Sequence, residues 1–272
     1  MKRLILTLIF VLACAAQLGA AVTFDAATGA YCATDGSCSA ATTFPLPTAT
    51  TLTYAHTTGV GSNRAIAVFV LIGCSGTDVS PSISSVTYAG VSLSNTSLPN
   101  VTAGSGPPRR GMVWSLPAGT QPTSGANNVV ITLSGSLITA CPVNNPRVMS
   151  GTVTASGVDQ TTTFTGSGGS SGSGTTASTT LTSGANDLVA HSGCSGDNTS
   201  APTGTSRWAN NDTQTSCNSN VGATAAGGTT APQFTVASSD SWIELAVSFK
   251  EAGGGGGDTP TTQRIATTGV GR

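Results

Sequence analysis

The residues best suited to binding chemistry lie in the stretch Ser206–Gln214, which contains Arg207, Trp208, Asn210, Asn211 and Asp212. An indole ring stacks on the apolar face of a sugar, and amide and carboxylate groups hydrogen-bond to its hydroxyls. The stretch therefore predicts a carbohydrate-binding site. The alternative interpretation is structural and needs no ligand, because Trp208 can also fold back and close the open end of a β-sandwich.

Catalytic motifs are few. Gly168–Gly172 matches the nucleophile pattern G-x-S-x-G, but it lies in a Gly/Ser tract without the strand before it and the helix after it that a nucleophile elbow needs. Asp187 and His191 are close enough to orient one another beside a serine, although the end of a surface strand explains them equally. No two acidic residues are marked as a glycosidase pair. We therefore expect a non-catalytic protein.

Metal-binding patterns are equally sparse. The chain has two histidines and no C-x-x-C pair, so a zinc site is not supported. Oxygen ligands for calcium at one rim would come from four residues: Asp78, Asp197, Asn198 and Asp212. They lack the spacing of an EF-hand loop. We expect no cofactor, and calcium is the one candidate metal.

The cysteines predict disulfide bonds. All seven except Cys14 lie beyond the N-terminal leader, and an even number in an exported chain indicates disulfides. Many connectivities are open to such a set. Among them we predict Cys32–Cys38, Cys74–Cys141 and Cys194–Cys217, of which the first closes a small polar turn and the last a longer loop that holds Trp208.

The N-terminus has the organisation of a signal peptide over residues 1–21. Basic residues precede the apolar run Leu4–Ala13, and small residues follow at Leu18–Ala21. In a second interpretation, Val11–Cys14 is a lipobox and Cys14 is lipidated. Both interpretations place the protein outside the cytoplasm, either secreted or at the cell surface. No later segment is apolar enough to span a bilayer, so we expect no transmembrane segment in the mature chain.

Composition indicates β structure. Charged residues make up 8% of the 272 residues, hydrophobic residues 38%, and the formal net charge is -1. Short, evenly spaced runs of Val, Ile and Leu are typical of an all-β protein. A chain without a basic patch is not expected to bind nucleic acid or to be drawn to an anionic membrane.

Individual strands can be predicted from their patterns. The apolar run Arg64–Cys74 predicts a central strand that is covered on both faces. Ser84–Leu93 reads as a hairpin around Ala89-Gly90, and Asn128–Ser134 alternates as a half-buried strand does. Ser241–Lys250 alternates most clearly, with Ile243, Leu245, Val247 and Phe249 on a core face and Glu244, Ala246, Ser248 and Lys250 on a wet face.

These strands predict one domain. Gly166–Gly174 is almost pure Gly and Ser and predicts a flexible loop tip. It is not expected to divide two domains, because residues 175–250 contain few large apolar side chains. We predict an antiparallel two-sheet β-sandwich, linked by disulfides, over residues 22–252. The five-glycine run that opens residues 253–272 predicts a flexible C-terminal tail.

Three stretches carry a resemblance: Ser84–Leu93, Gly157–Thr162 and Ser241–Lys250. Together they resemble the uncharacterised jelly-roll-like β-sandwich modules of bacterial exported or surface proteins and phage particles. The resemblance spans most of residues 64–250. It implies a sandwich fold and a surface or extracellular setting, and it implies no catalytic residues.

The function expected from the sequence is an exported surface module for binding or adhesion, with a glycan or a cell-surface partner bound by loops at one rim. The first alternative is a structural component of an envelope, filament or virion. The second is a secreted hydrolase. The sequence leaves the oligomeric state open.

Overall fold

The fold is known from a computed structural model. It describes residues 21–33, 38–39, 42–43, 50–74, 82–103, 109–136, 147–200, 202–210, 218–225 and 231–253. The predicted signal peptide and C-terminal tail therefore lie outside the described residues, apart from Ala21 and Gly253.

The described residues form sixteen β-strands and no helix, so none of them belongs to a helix that could cross a membrane. In chain order the strands are β1 (Thr23–Ala33), β2 (Thr42–Thr43), β3 (Thr51–Thr58), β4 (Ala65–Gly73), β5 (Ile83–Tyr88), β6 (Val91–Ser92), β7 (Asn100–Thr102), β8 (Arg109–Ser115), β9 (Gly125–Leu133), β10 (Arg147–Ser156), β11 (Phe164–Ser178), β12 (Leu188–Ser195), β13 (Thr199–Ser200), β14 (Thr205–Asn210), β15 (Asn218–Ala225) and β16 (Gln233–Phe249).

The strands form three antiparallel sheets. The central sheet has the order β1-β10-β4-β8-β7. The N-terminal outer sheet, β2-β3-β9-β5-β6, packs on one of its faces, and the C-terminal outer sheet, β11-β16-β12-β15-β14 with β13 on β16, packs on the other. The all-β antiparallel sandwich is thus confirmed, but the prediction of two sheets was wrong, because a third layer is present.

Strand β4 explains the third layer. Every residue from Ala65 to Gly73 is buried. Ile66, Val68 and Val70 belong to the core shared with the N-terminal outer sheet, whereas Phe69 and Leu71 belong to the core shared with the C-terminal outer sheet. Successive side chains of a strand point to opposite faces, so a strand that is apolar throughout requires a cover on each side. The predicted central strand is confirmed.

The predicted hairpin is also confirmed. Strands β5 and β6 pair across Ala89-Gly90, with Tyr88 opposite Val91. Ala89 and Gly90 have φ values of 52° and 79°, the left-handed conformation at both central positions that a tight turn between twisted strands favours.

The prediction of a wet face on Ser241–Lys250 was wrong. Glu244, Ala246 and Ser248 are buried like their apolar neighbours. Ala246 and Ser248 are covered by a crossing segment, residues 179–187, which runs over the outer face of the C-terminal outer sheet, and Glu244 is paired with His191 of β12. There Leu181 packs with Ala246, and the Ser248 hydroxyl donates a hydrogen bond to Asp187 over 2.9 Å.

The prediction of a loop tip at Gly166–Gly174 was also wrong, because this tract forms most of β11, which pairs with β16. The crossing segment lies directly against it. A Cβ atom added at Gly168 would lie 2.0 Å from the Thr180 carbonyl oxygen, and one at Gly166 would lie 2.5 Å from that of Thr182. The glycines are needed at these positions because the neighbouring backbone leaves no room for a side chain.

The disulfide Cys32–Cys38 is confirmed. Cys74 and Cys194 are buried and likewise disulfide-bonded. Their predicted partners, Cys141 and Cys217, lie outside the described residues, so those two pairings stay predictions.

Candidate functional site

Of the residues predicted to bind sugars, Arg207, Trp208 and Asn210 lie on β14, an edge strand of the C-terminal outer sheet that lies beside β1 of the central sheet. The half-buried Trp208 packs against the core between these sheets. Its ring rests on Gly29 of β1, where an added Cβ would lie only 1.7 Å from Trp208 Cδ2. The exposed Arg207 places its guanidinium carbon 3.8 Å from the centre of the Phe24 ring, a cation–π contact.

A β-bulge in β14 lets the adjacent residues Arg207 and Trp208 both contact β1. The pairing of β14 with β15 shifts register between Ser206 and Trp208, and bulges redirect side chains in this way. Asn210 pairs with Ser219 at the end of β14, while Asn211 and Asp212 lie outside the described residues. The contact of Trp208 with Gly29 favours its structural interpretation, as a side chain that closes the sandwich edge.

Substitution of Gly29 by alanine is expected to displace the indole of Trp208 from the sheet edge, because the new methyl group would occupy the space of the ring. Intrinsic fluorescence should shift to longer wavelength. The control is the same substitution in a Trp208→Phe background, where Trp114 and Trp242 alone report. An equal shift in that background would contradict the assignment.

A buried polar pair, His191 with Glu244, lies on the outer face of the C-terminal outer sheet. His191 Nδ1 lies 2.6 Å from Glu244 Oε1, and both side chains are almost completely buried. His191 Nε2 donates to the Thr203 carbonyl oxygen over 3.0 Å. Because a carbonyl oxygen only accepts, one further proton is shared between Nδ1 and the carboxyl group.

Burial and charge together raise the proton affinity of this pair. Burial lowers the pKa of His191, but the charge of Glu244 and the hydrogen bonds to Glu244 and Thr203 outweigh it, and the net pKa is raised. Burial raises the pKa of Glu244, more than the attraction of His191 lowers it. Both directions mean that the folded protein holds the shared proton more tightly than the unfolded chain does.

This arrangement excludes the triad considered for Asp187 and His191. Both ring nitrogens of His191 are engaged, so neither is free to accept a proton from a serine. Asp187 instead accepts hydrogen bonds from the backbone nitrogens of Gly184 and Glu251 and from the Ser248 hydroxyl. Asp187 thus stabilises the crossing segment, and His191 joins β16 to the segment that contains Thr203.

The G-x-S-x-G match has no catalytic context either. Ser170 lies inside β11 and donates its hydroxyl proton to Thr179 over 3.0 Å. The tract continues as a strand and no helix follows it.

A second buried polar group joins the central and N-terminal outer sheets. The Tyr54 hydroxyl lies 2.6 Å from the hydroxyls of both Ser150 and Thr152, and burial raises the pKa of Tyr54 to about 12. His56 Nδ1 lies 2.9 Å from the Thr28 hydroxyl, and burial lowers the pKa of His56 to about 4. These groups lie inside the sandwich, out of reach of a ligand.

The predicted calcium ligands are only partly described, since Asp78 and Asp212 lie outside the described residues. The Asp197 carboxylate accepts hydrogen bonds from Ser238 and from the Asn198 backbone nitrogen. Among the residues that the structure describes, no three His, Cys, Asp or Glu side chains cluster as metal ligands would.

One concave feature among the residues that the structure describes is a groove of about 260 Å³. We call it the Phe164 groove. It is lined by residues that precede β7, follow β8 and begin β11, and none of its lining side chains is charged. Those used below are Ser94, Thr96, Leu98, Leu116, Ala118 and Phe164.

Leu98, Leu116 and Phe164 supply apolar surface in the groove, and Phe164 is held by Phe249, with ring centres 5.1 Å apart. The Ser94 hydroxyl donates to Thr96 Oγ1 over 3.0 Å, which leaves the Thr96 hydroxyl proton free to donate to a ligand. Sequence reasoning missed this groove because its residues come from three distant segments, none of which carries a motif.

No protein-family model matches the chain, and neither a curated protein nor a solved structure is similar to it. The resemblance to exported jelly-roll-like modules therefore stays an expectation from the sequence.

Proposed function

We propose that this protein is an exported, non-catalytic binding module that takes a neutral sugar unit in the Phe164 groove. The observation that carries the proposal is the combination of an aromatic ring and hydroxyl groups in one uncharged groove. A sugar ring offers an apolar face to an aromatic side chain and hydroxyls to the polar groups, and uncharged walls favour a neutral ligand.

The size of the groove supports a small ligand. Its volume of about 260 Å³ lies just below the lower limit of ligand pockets, which measure roughly 300–1,000 Å³. A single sugar unit, such as the end of a glycan chain, fits this limit better than an extended ligand does.

The state of the two histidines supports a non-catalytic role. His191 is fully engaged by Glu244 and Thr203. His56 is buried between two sheets. The ring nitrogens of both are already in use within the fold, so the side chain most often used as a general base is committed to structure.

The test is a glycan-array screen of the full chain beside the variant Ala118→Arg. Ala118 is exposed in the groove wall, so an arginine there fills the groove without entering the core. We expect binding to fall at least about tenfold, which corresponds to roughly 1.4 kcal/mol.

The matched control is Ala55→Arg, which adds the same side chain at an exposed position of β3. It should bind as the unaltered chain does. Binding that survives Ala118→Arg but is lost with Trp208→Ala would move the site to β14. An array without any signal would contradict the proposal and favour the structural alternative.

A further inference from the structure

Strand β11 presents a long free edge. It is the last strand of the C-terminal outer sheet, and within the described part of the chain it pairs only with β16. The N–H and C=O groups of a free edge are a template for another strand. At fifteen residues, β11 is the longest edge strand among those that the structure describes.

The other described edges are short or interrupted. Strands β2 and β6 have two residues each and β7 has three. The edge strand β1 is bulged beside Asp25 and is met at its end by Ser39, whose backbone nitrogen donates to Tyr31. Strand β14 is bulged at Arg207. These are the features by which proteins prevent edge-to-edge pairing.

Strand β11 lacks these protective features along its middle. Residues 164–178 contain no Lys, Arg, Asp, Glu or Pro. Its two register shifts lie next to Phe164 and Thr176, so the nine residues Gly166–Gly174 pair with β16 without interruption. The odd-numbered residues Gly169, Ser171 and Ser173 are exposed. The edge is therefore uncharged and regularly paired over nine residues, and three of these residues are exposed.

We propose that two copies of this chain associate through antiparallel pairing of β11 with β11, which joins their C-terminal outer sheets into one continuous sheet. The sequence of the free edge fits this partner, because Gly166–Gly174 reads Gly-Ser-Gly-Gly-Ser-Ser-Gly-Ser-Gly and is almost a palindrome. With Ser170 on the two-fold axis, Gly166 faces Gly174, Ser167 faces Ser173 and Gly168 faces Gly172.

The proposed contact closes on itself. A two-fold interface uses the same patch on both copies. Once two β11 strands have paired, neither leaves a free β11 edge for a third copy, so the product is a dimer instead of a filament. The small side chains let the backbones meet without a clash, but they bury little apolar surface, and backbone hydrogen bonds supply most of the affinity. We therefore expect a dimer that dissociates on dilution. This inference does not depend on the sugar-binding proposal.

The first test is sedimentation velocity of the full chain over a wide concentration range, beside Ser171→Lys. In the proposed register the two copies of residue 171 flank the axis on the same face, so lysines there repel one another and shift the equilibrium at least about tenfold toward monomer. The matched control Asn128→Lys adds a lysine at an exposed position of β9, which has partners on both sides, and should dimerise as the unaltered chain does.

The second test fixes the register. Directly opposed residues of an antiparallel pair have Cα atoms about 4.5–5.5 Å apart, within the range of a disulfide. Ser170→Cys should therefore form a covalent dimer on oxidation. Ser173→Cys should not, because its counterpart lies six residues further along the strand, roughly 20 Å away.

A full chain that stays monomeric at every concentration would overturn the proposal. A dimer that persists undiminished in Ser171→Lys would exclude β11 as the contact. A dimer that is lost when residues 254–272 are removed, with no cross-linking of Ser170→Cys, would show that the tail of a second copy occupies the edge and would also overturn self-pairing.

Discussion

Replacing Glu244 with alanine is expected to lower the free energy of unfolding by about 3–5 kcal/mol, because it leaves the buried Nδ1 of His191 without its partner. The contact that is lost is the 2.6 Å hydrogen bond within the C-terminal outer sheet. The measurement is urea unfolding with the disulfides intact.

Two further variants separate charge from shape. Glu244→Gln keeps the length of the side chain, and its amide can donate to a neutral His191, so we expect a loss of about 1–2 kcal/mol. The double variant His191→Phe with Glu244→Leu replaces the pair by apolar side chains, and such replacements are often close to neutral. A loss below about 1 kcal/mol for Glu244→Ala would show that the pair is solvated instead of buried.

Stability is expected to be greatest near pH 6.5 and to fall on both sides, because the two histidines act in opposite directions. The folded pKa of His56 is about 4, below the ordinary value of about 6.5. The folded state therefore binds fewer protons than the unfolded state, and stability is lost as the pH falls from 6.5 toward 4. The difference between these pKa values corresponds to about 3 kcal/mol.

His191 produces the loss at higher pH. Its folded pKa is raised, so the stabilisation is complete below the unfolded pKa of about 6.5 and is lost as the pH rises through the folded value. The slope approaches about 1.4 kcal/mol per pH unit. Asp159 affects stability in a different pH range. Burial raises its pKa, but hydrogen bonds from Thr161 and Lys250 outweigh this effect, and the net pKa is lowered. The stability that Asp159 contributes is therefore lost only below about pH 4.

Urea unfolding at a series of pH values measures the free energy of unfolding on the acid side (the acid limb) and on the alkaline side (the alkaline limb) of pH 6.5. His56→Gln should flatten the acid limb and leave the alkaline limb unchanged, and Glu244→Gln should flatten the alkaline limb alone. If both variants kept the profile of the unaltered chain, neither histidine would be the source of the pH dependence.

The sequence predicts those parts of the fold whose structure follows from the residues of a single strand or turn. Ala65–Gly73 has no polar residue that would mark a wet face, and Gly90 supplies the positive φ that a tight turn between paired strands needs. The same apolar pattern also contradicts the prediction of two sheets. A strand that is apolar on both faces requires a covering layer on each side, and every residue of β4 is buried in this way.

The parts that sequence reasoning missed depend on contacts between distant segments. Gly166–Gly174 has the composition of a flexible loop, yet it is a strand that pairs with β16, and its glycines make room for the backbone of Thr180 and Thr182. Glu244 looked solvent-exposed because its partner, His191, is 53 positions away. No sequence pattern links these two residues, and none marks the Phe164 groove, whose lining comes from three distant segments.

The pairing of β1 with β10 has a consequence for synthesis. Thr23 of β1 pairs with Ser156 of β10, so the first strand to leave the ribosome has no partner until more than half of the chain has been made. Chains that depend on such distant pairings fold slowly, and their unpaired strands are exposed to aggregation meanwhile. We expect the nascent chain to stay open, and to rely on chaperones, until β10 emerges and the central sheet can close.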